Sequence, residues 1–211
     1  MTKIAVIGAT GKVGTLIAEK ALSAGFDVTA IVRNASKLTF APSAVIEKDS
    51  FALTAADFAG FDAIVSAVAL PADGKVNLYK KFFEHLLSAL AGNPARLIVV
   101  GGTGSLYNDE SRTTKRVEWF PQDAPWVPVP RDMAAASDVL KASDVNFTYF
   151  SPAGEFDPNG AETDNYTITG DIYEENAAGQ SYISYADYAA AVVAMIADGS
   201  HQRAHIGIYQ N

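Results

Sequence analysis

Ile7-Gly8-Ala9-Thr10-Gly11-Lys12-Val13-Gly14 follows directly on the apolar run Lys3-Ile4-Ala5-Val6 and sets three glycines at three-residue intervals where a strand gives way to a helix. A glycine at a strand end lets the chain turn tightly. A second at the helix start lets backbone N–H groups come close to a ligand, and a third one turn later lets helix and strand pack together. The first helical turn, at Lys12 and Val13, adds unpaired N–H groups and positive partial charge. Together these features form a cradle for a pyrophosphate and so for a dinucleotide, with Thr10 counted to the same loop. The spacing is G-x-x-G-x-x-G rather than the commoner G-x-G-x-x-G. A tight turn with close packing would use the same glycines, so the reading rests on strand, loop, helix and second strand standing in register.

Outward from this loop, short runs rich in Val, Ile and Phe recur at Ile4–Ile7, Val28–Val32, Val45–Glu47, Ala63–Ala67, Leu97–Val100 and Phe147–Phe150. Helical patterns lie between most of them. Val13, Leu16, Ile17, Ala21 and Ala24 share one face of a helix that Gly25 ends, and Leu78, Phe82, Leu86 and Leu90 mark a second that stops at Gly92-Asn93-Pro94. A third is expected from about Arg131 to Ser143. Near-continuous apolar strands separated by helices predict an α/β fold, a doubly wound parallel sheet covered on both faces. After Phe150 the alternation stops. A polar stretch from Ser151 to Gly179 precedes a helix at about Ser184–Ala197 and a last strand at Ala204–Tyr209. Residues 151–203 are therefore expected to cap the carboxyl edge of one domain spanning 1–211, the edge where such sheets bind ligands.

Composition narrows the function. The chain has 211 residues, 49% of them hydrophobic, which suits one full core. Sixteen Lys and Arg against 24 Asp and Glu leave a net charge of −8, which argues against nucleic acid or an anionic membrane as partner and for a small molecule. There is no cysteine, and three histidines (His85, His201, His205) do not supply metal-site spacing, so no metal is expected. His85 reads as structural, and His201 and His205 have no evident partner. No targeting segment or long apolar run is apparent, and a cytoplasmic location is expected. The oligomeric state stays open between monomer and homodimer.

The end of the second strand bears on which dinucleotide is bound. It reads Ile31-Val32-Arg33-Asn34-Ala35-Ser36-Lys37, without the acid that would accept the 2′-hydroxyl of NAD. Asp27 stands at the wrong end of the strand. Arg33, Ser36 and Lys37 offer charge and donors suited to a 2′-phosphate, so NADP(H) is preferred over NAD(H). The alternative is that Arg33 and Lys37 are solvated surface charges. Asp49, past the third strand, fits either an acceptor for the adenine amino group or an exposed turn, and Ala67, ending the fourth run, is counted to the cofactor site.

The stretches KIAVIGATGKVG, DVTAIVRN, FDAIVSAV, LIVVGGTGSLY, FTYFSPAGEFDP and ISYADYAAAVV, in this order, span nearly the whole chain, from Lys3 to Val193. In that order the chain resembles the atypical short-chain dehydrogenase/reductases, specifically the NAD(P)-binding NmrA-like proteins and the bacterial NADH-flavin reductase family related to biliverdin reductase B. The resemblance implies a Rossmann fold. Ordinary members of that superfamily move a proton with Ser, Tyr and a Lys four residues after the Tyr. None of the nine tyrosines here is followed by Lys at that distance. Alcohol–carbonyl chemistry and sugar epimerisation, which need this acid/base pair, lose ground. Reduction of a flavin does not need it, because hydride passes directly from nicotinamide to a stacked ring.

The resemblance also implies roles for later residues. Gly101–Tyr107 would line the floor beside the nicotinamide, with Gly102 at the cofactor, Tyr107 toward substrate, and the Ser105 hydroxyl as the candidate catalytic group or else a turn residue. Pro152, Ala153 and Gly154 resemble the segment whose N–H groups hold the nicotinamide amide, or else form a plain strand exit. Trp119, Phe120 and Trp126, in a proline-rich loop, would either stack on a flavin bound transiently as acceptor or anchor a lid. Two functions fit: an NADP(H)-dependent oxidoreductase acting on a flavin or similar planar acceptor, and a non-catalytic NmrA-like protein that senses the dinucleotide.

Overall fold

Residues 1–71 and 77–211 are described by a computed structural model, with ten strands and four α-helices. Strands β1 (Lys3–Ile7), β2 (Asp27–Val32), β3 (Ala44–Glu47), β4 (Ala63–Ser66), β5 (Arg96–Val100) and β6 (Phe147–Ser151) pair in parallel in the order β3-β2-β1-β4-β5-β6. The chain winds outward from β1 to β3, then returns to lay β4 against the other side of β1. The carboxyl ends of β1 and β4 therefore flank the crevice where strand order reverses, and such a crevice binds ligands in open α/β sheets.

Both sheet faces are buried because alternate side chains point opposite ways along each strand. Ile4 and Val6 of β1 pack under α1 (Lys12–Ser23) and α4 (Tyr185–Asp198), whereas Ala5 and Ile7 face α2 (Leu78–Ala89) and α3 (Pro128–Lys141). In α1 the buried residues Gly14, Ile17, Ala18 and Ala21 follow helical spacing, so one stripe carries its packing. Helix α3 begins three residues before the pattern predicts. Pro128 and Pro130 occupy its first turn, where a missing N–H costs no intrahelical bond. Among the described residues no helix is long and apolar enough to cross a membrane.

The segment expected as a cap is divided by the fold. β10 (Ala204–Gln210) pairs in parallel with β6, and β8 (Tyr166–Thr169) adds antiparallel to β10, so these strands widen the sheet to eight. Helix α4 covers a face beside α1, with Tyr188 stacked on Phe150 at 4.4 Å and its hydroxyl donating to the Phe150 carbonyl at 2.7 Å. Among the described strands, β7 (Glu155–Asp157) and β9 (Tyr182–Ser184), a separate parallel pair, stand apart from the main sheet. Gly/Asn/Asp-rich sequence conceals β8 because its pattern is set by tertiary pairing with β10, not by alternation along the chain.

Candidate active site

The glycine loop closes on itself. Gly8 adopts a φ of +83°, and a Cβ there would lie 2.6 Å from the Ala67 carbonyl oxygen. A Cβ at Gly14 would lie 2.3 Å from the Gly8 carbonyl oxygen, so β1, α1 and the end of β4 approach at a distance only glycine permits. Gly11 caps α1 from an extended conformation without a side-chain hydrogen bond, and the first turn holds no acidic residue. The N–H groups and the positive end of the helix thus face the crevice unneutralised.

Two cavities run along this crevice. One, of about 350 Å³, is lined by Gly8, Thr10, Gly11, Arg33, Lys37, Lys48, Asp49 and Ala67. The next, of about 310 Å³, is lined by Gly11, Lys12, Val13, Ala67, Gly101, Met133, Phe156 and Tyr185, among others. A third, of about 380 Å³, opens beyond it between Gly102, Thr103, Arg116, Phe120, Trp126, Gly154 and Tyr173. Gly8 to Gly14, Arg33, Asp49, Ala67, Gly102 and Gly154 are thus brought to one continuous edge of the sheet. Asp49 is partly committed, since its Oδ1 accepts the Phe51 N–H at 2.9 Å. Lys48 is tied to Asp57 at 2.6 Å, and this hydrogen bond chiefly holds the Asp57 carboxyl down at about 2.

Several expected residues lie elsewhere. Ser105 is 1% exposed and lines none of these cavities. Its hydroxyl donates to the Gly102 carbonyl at 2.7 Å and sits 2.9 Å from Ser151 Oγ and 3.2 Å from His205 Nε2. The hydroxyl expected to be catalytic is thus buried and hydrogen-bonded within the fold, away from these cavities. Tyr107 lines a separate cavity, beside Lys141 and His205, and its backbone is bridged to both Lys115 and Ile172. Pro152 has no N–H to offer, and its carbonyl accepts the Thr103 hydroxyl. Ala153 is buried in the core, and the Gly154 N–H donates to Ser181 Oγ at 2.9 Å. Phe120 and Trp126 meet at 5.4 Å on the third cavity, while Trp119, 62% exposed, lies outside it against Arg116.

His205 is the residue that sequence reasoning missed. Its partners Ser105 and Ser151 are distant in the chain, and only the placement of β10 beside β6 joins them. Burial pushes its imidazole down to about 3, with the Lys141 ammonium adding to the effect. It is neutral in the folded protein near neutral pH, whereas the unfolded chain takes up the proton near its ordinary value. Stability therefore falls as pH drops below about 6.5, well above the range where Asp57 titrates. Urea unfolding should show about 1 kcal/mol less stability at about pH 5.5 than at about pH 7, and His205→Gln should flatten that difference. An equal loss in the variant would assign the slope to other groups.

The sequence profile of an NAD(P)H-binding family matches residues 8–199. The chain belongs to this family. It is 41% identical over 204 residues to the uncharacterised protein YwnB of Bacillus subtilis, covering 95% of this chain and 94% of that one. Among solved structures, a protein from Streptococcus pneumoniae described as a candidate NADH-flavin reductase is 39% identical, with all of both chains covered and a TM-score of 0.93. A candidate epimerase from Bacteroides thetaiotaomicron is 26% identical over 99% of this chain and 97% of that one, with a TM-score of 0.87. Membership makes this an NAD(P)H-binding domain on a Rossmann-like sheet.

Proposed function

We propose that this NAD(P)H-binding protein is an NADP(H)-dependent oxidoreductase that passes hydride to a flavin or a similar planar acceptor bound transiently in the third cavity. The observation that carries the reading is the position of that cavity: it continues the cofactor crevice past Gly101 and Gly102 and is walled by Phe120 and Trp126. A planar ring entering there would stack on aromatic faces beside the nicotinamide half of the crevice. The balance of the step is simple. Hydride leaves the nicotinamide of NADPH for the flavin ring, one proton comes from solvent, and NADP⁺ and reduced flavin depart. The chain's own task is to align the two rings and exclude water between them. The name of the Streptococcus pneumoniae relative supports the same reading.

The test is NADPH oxidation with free flavin as acceptor. NADPH binding without turnover on any flavin or quinone would overturn the proposal and favour a dinucleotide sensor. A second consequence concerns proton transfer. Tyr79 and Tyr185 line the nicotinamide half, and the Tyr79 hydroxyl already accepts the Leu70 N–H at 3.0 Å. Tyr79→Phe, Tyr185→Phe and Ser105→Ala should each slow turnover far less than the roughly hundredfold expected on removing a general acid. Trp126→Ala should instead raise KM for the flavin several-fold, through loss of about 1 kcal/mol of aromatic stacking, with NADPH affinity unchanged. A single Tyr→Phe change that stops turnover with both ligands still bound would restore a carbonyl-reductase mechanism.

A further inference from the structure

Among the described residues the third cavity is lined by one formal charge, and it is positive: on a chain of net charge −8 the described lining holds Arg116 and no acidic residue. The Arg116 guanidinium carbon lies 4.0 Å from the centre of the Tyr173 ring and 5.3 Å from that of Trp119. Aromatic faces hold the guanidinium through its π surface, which leaves its in-plane N–H groups free to donate. Among the described residues no carboxylate pairs with it. The aromatic support is fixed by backbone: the Tyr107 N–H and carbonyl bond to Asp171 and Tyr173 at 2.8 Å each, and the Arg116 N–H bonds to the Leu106 carbonyl at 2.7 Å. Tyr173 is held further by its hydroxyl, which donates to Glu175 at 3.2 Å. Arg116 is thus a preorganised donor fork at the acceptor cavity.

We infer that Arg116 forms an anion subsite in this cavity, so that the acceptor is a planar aromatic molecule carrying a phosphate or carboxylate group. The inference rests on the proposed function and names the class of acceptor for that same site. A guanidinium fork matches the oxygens of either group in a bidentate manner, which a neutral acceptor cannot use. Trp119, outside the cavity, acquires a role through this arrangement: it supports Arg116 rather than the acceptor ring.

The experiment compares FMN with riboflavin, which share the ring and differ in the phosphate. Binding is followed by flavin fluorescence with NADP⁺ present, so that no turnover occurs. The intact protein should bind FMN about tenfold more tightly than riboflavin, the lower end for a charge-assisted contact at a half-exposed site, and added salt should narrow the gap. Arg116→Met should bring FMN to the affinity of riboflavin without changing NADP⁺ binding, and Arg116→Lys should keep part of the difference. Equal affinity of the intact protein for both flavins, or equal weakening of both by Arg116→Met, would overturn the subsite while leaving flavin reduction standing. Failure of both flavins to bind would instead overturn flavin as the acceptor, and the subsite with it. The comparison in the intact protein needs no variant to fold.

Discussion

Gly11→Val is expected to abolish dinucleotide binding while the sheet still forms, whereas Gly14→Val is expected to damage the fold itself. The two positions differ in what a side chain would meet. At Gly11, with an extended backbone, a Cβ would lie 3.3 Å from the Gly8 carbonyl oxygen, a tight contact that a few tenths of an ångström relieve. The two methyl groups of valine would then project into the space where the pyrophosphate must approach the first turn of α1. At Gly14 the same atom would lie 2.3 Å from the Gly8 carbonyl oxygen, backbone that cannot rotate away. Overpacking of this kind costs about 3 kcal/mol. That corresponds to a fall of roughly 10 °C in Tm for a chain of this size. Thermal unfolding by circular dichroism and NADPH titration separate the two effects. NADPH binding at near-normal strength in Gly11→Val would place the phosphates elsewhere.

The contrast between these glycines illustrates which parts of the molecule could be read in advance. Strands β1 to β6 and the helices between them follow from local patterns: of the face read as Val13, Leu16, Ile17, Ala21 and Ala24, Ile17 and Ala21 are buried and Gly14 and Ala18 complete the stripe, while strands buried on both faces appear as short apolar runs. The cofactor loop is equally local, since its glycines, helix start and strand end lie within Ile4–Gly14. Arg33, Asp49 and Ala67 then follow from the register of neighbouring parallel strands, whose carboxyl ends must share an edge.

What could not be read depends on contacts between distant segments. β8 joins the sheet through β10, and neither strand's place is fixed until both pair. Ser105 looks catalytic beside the end of β5, yet the arrival of His205 on β10 and Ser151 on β6 turns its hydroxyl inward. Tyr107 lines a separate cavity, with its backbone bridged to Lys115 and Ile172. The aromatic loop divides in the same way. Phe120 and Trp126 reach the cavity, and Trp119, seven residues before Trp126, meets Arg116 because the turn Arg116–Trp119 is a 3₁₀ helix that brings residues three apart together. Sequence supplied the aromatic residue types, and the fold decided which of them face the third cavity.

NADPH should bind more tightly than NADH by about tenfold, and Arg33→Ala should remove most of that difference while leaving NADH affinity unchanged. Arg33 is exposed at the carboxyl end of β2 and lines the first cavity together with Lys37. The acid that would favour NAD is missing from that strand end. Glu47, at the end of the adjacent β3, is engaged instead: its Oε2 accepts the Ala35 N–H at 2.8 Å, which holds the turn after Arg33. Lys48 is held by Asp57, so among the described residues of this cavity Arg33 and Lys37 remain as the cations for a 2′-phosphate. Solvent screens an exposed arginine, and the lower end of the range for a charge-assisted contact therefore applies. The same screening predicts that the preference shrinks as salt is raised through the range where the Debye length falls below about 10 Å. Isothermal titration of both dinucleotides against the intact protein and Arg33→Ala, at low and high salt, measures all of this. Equal dissociation constants for NADPH and NADH in the intact protein would overturn the assignment of Arg33, and the glycine loop would then serve either cofactor.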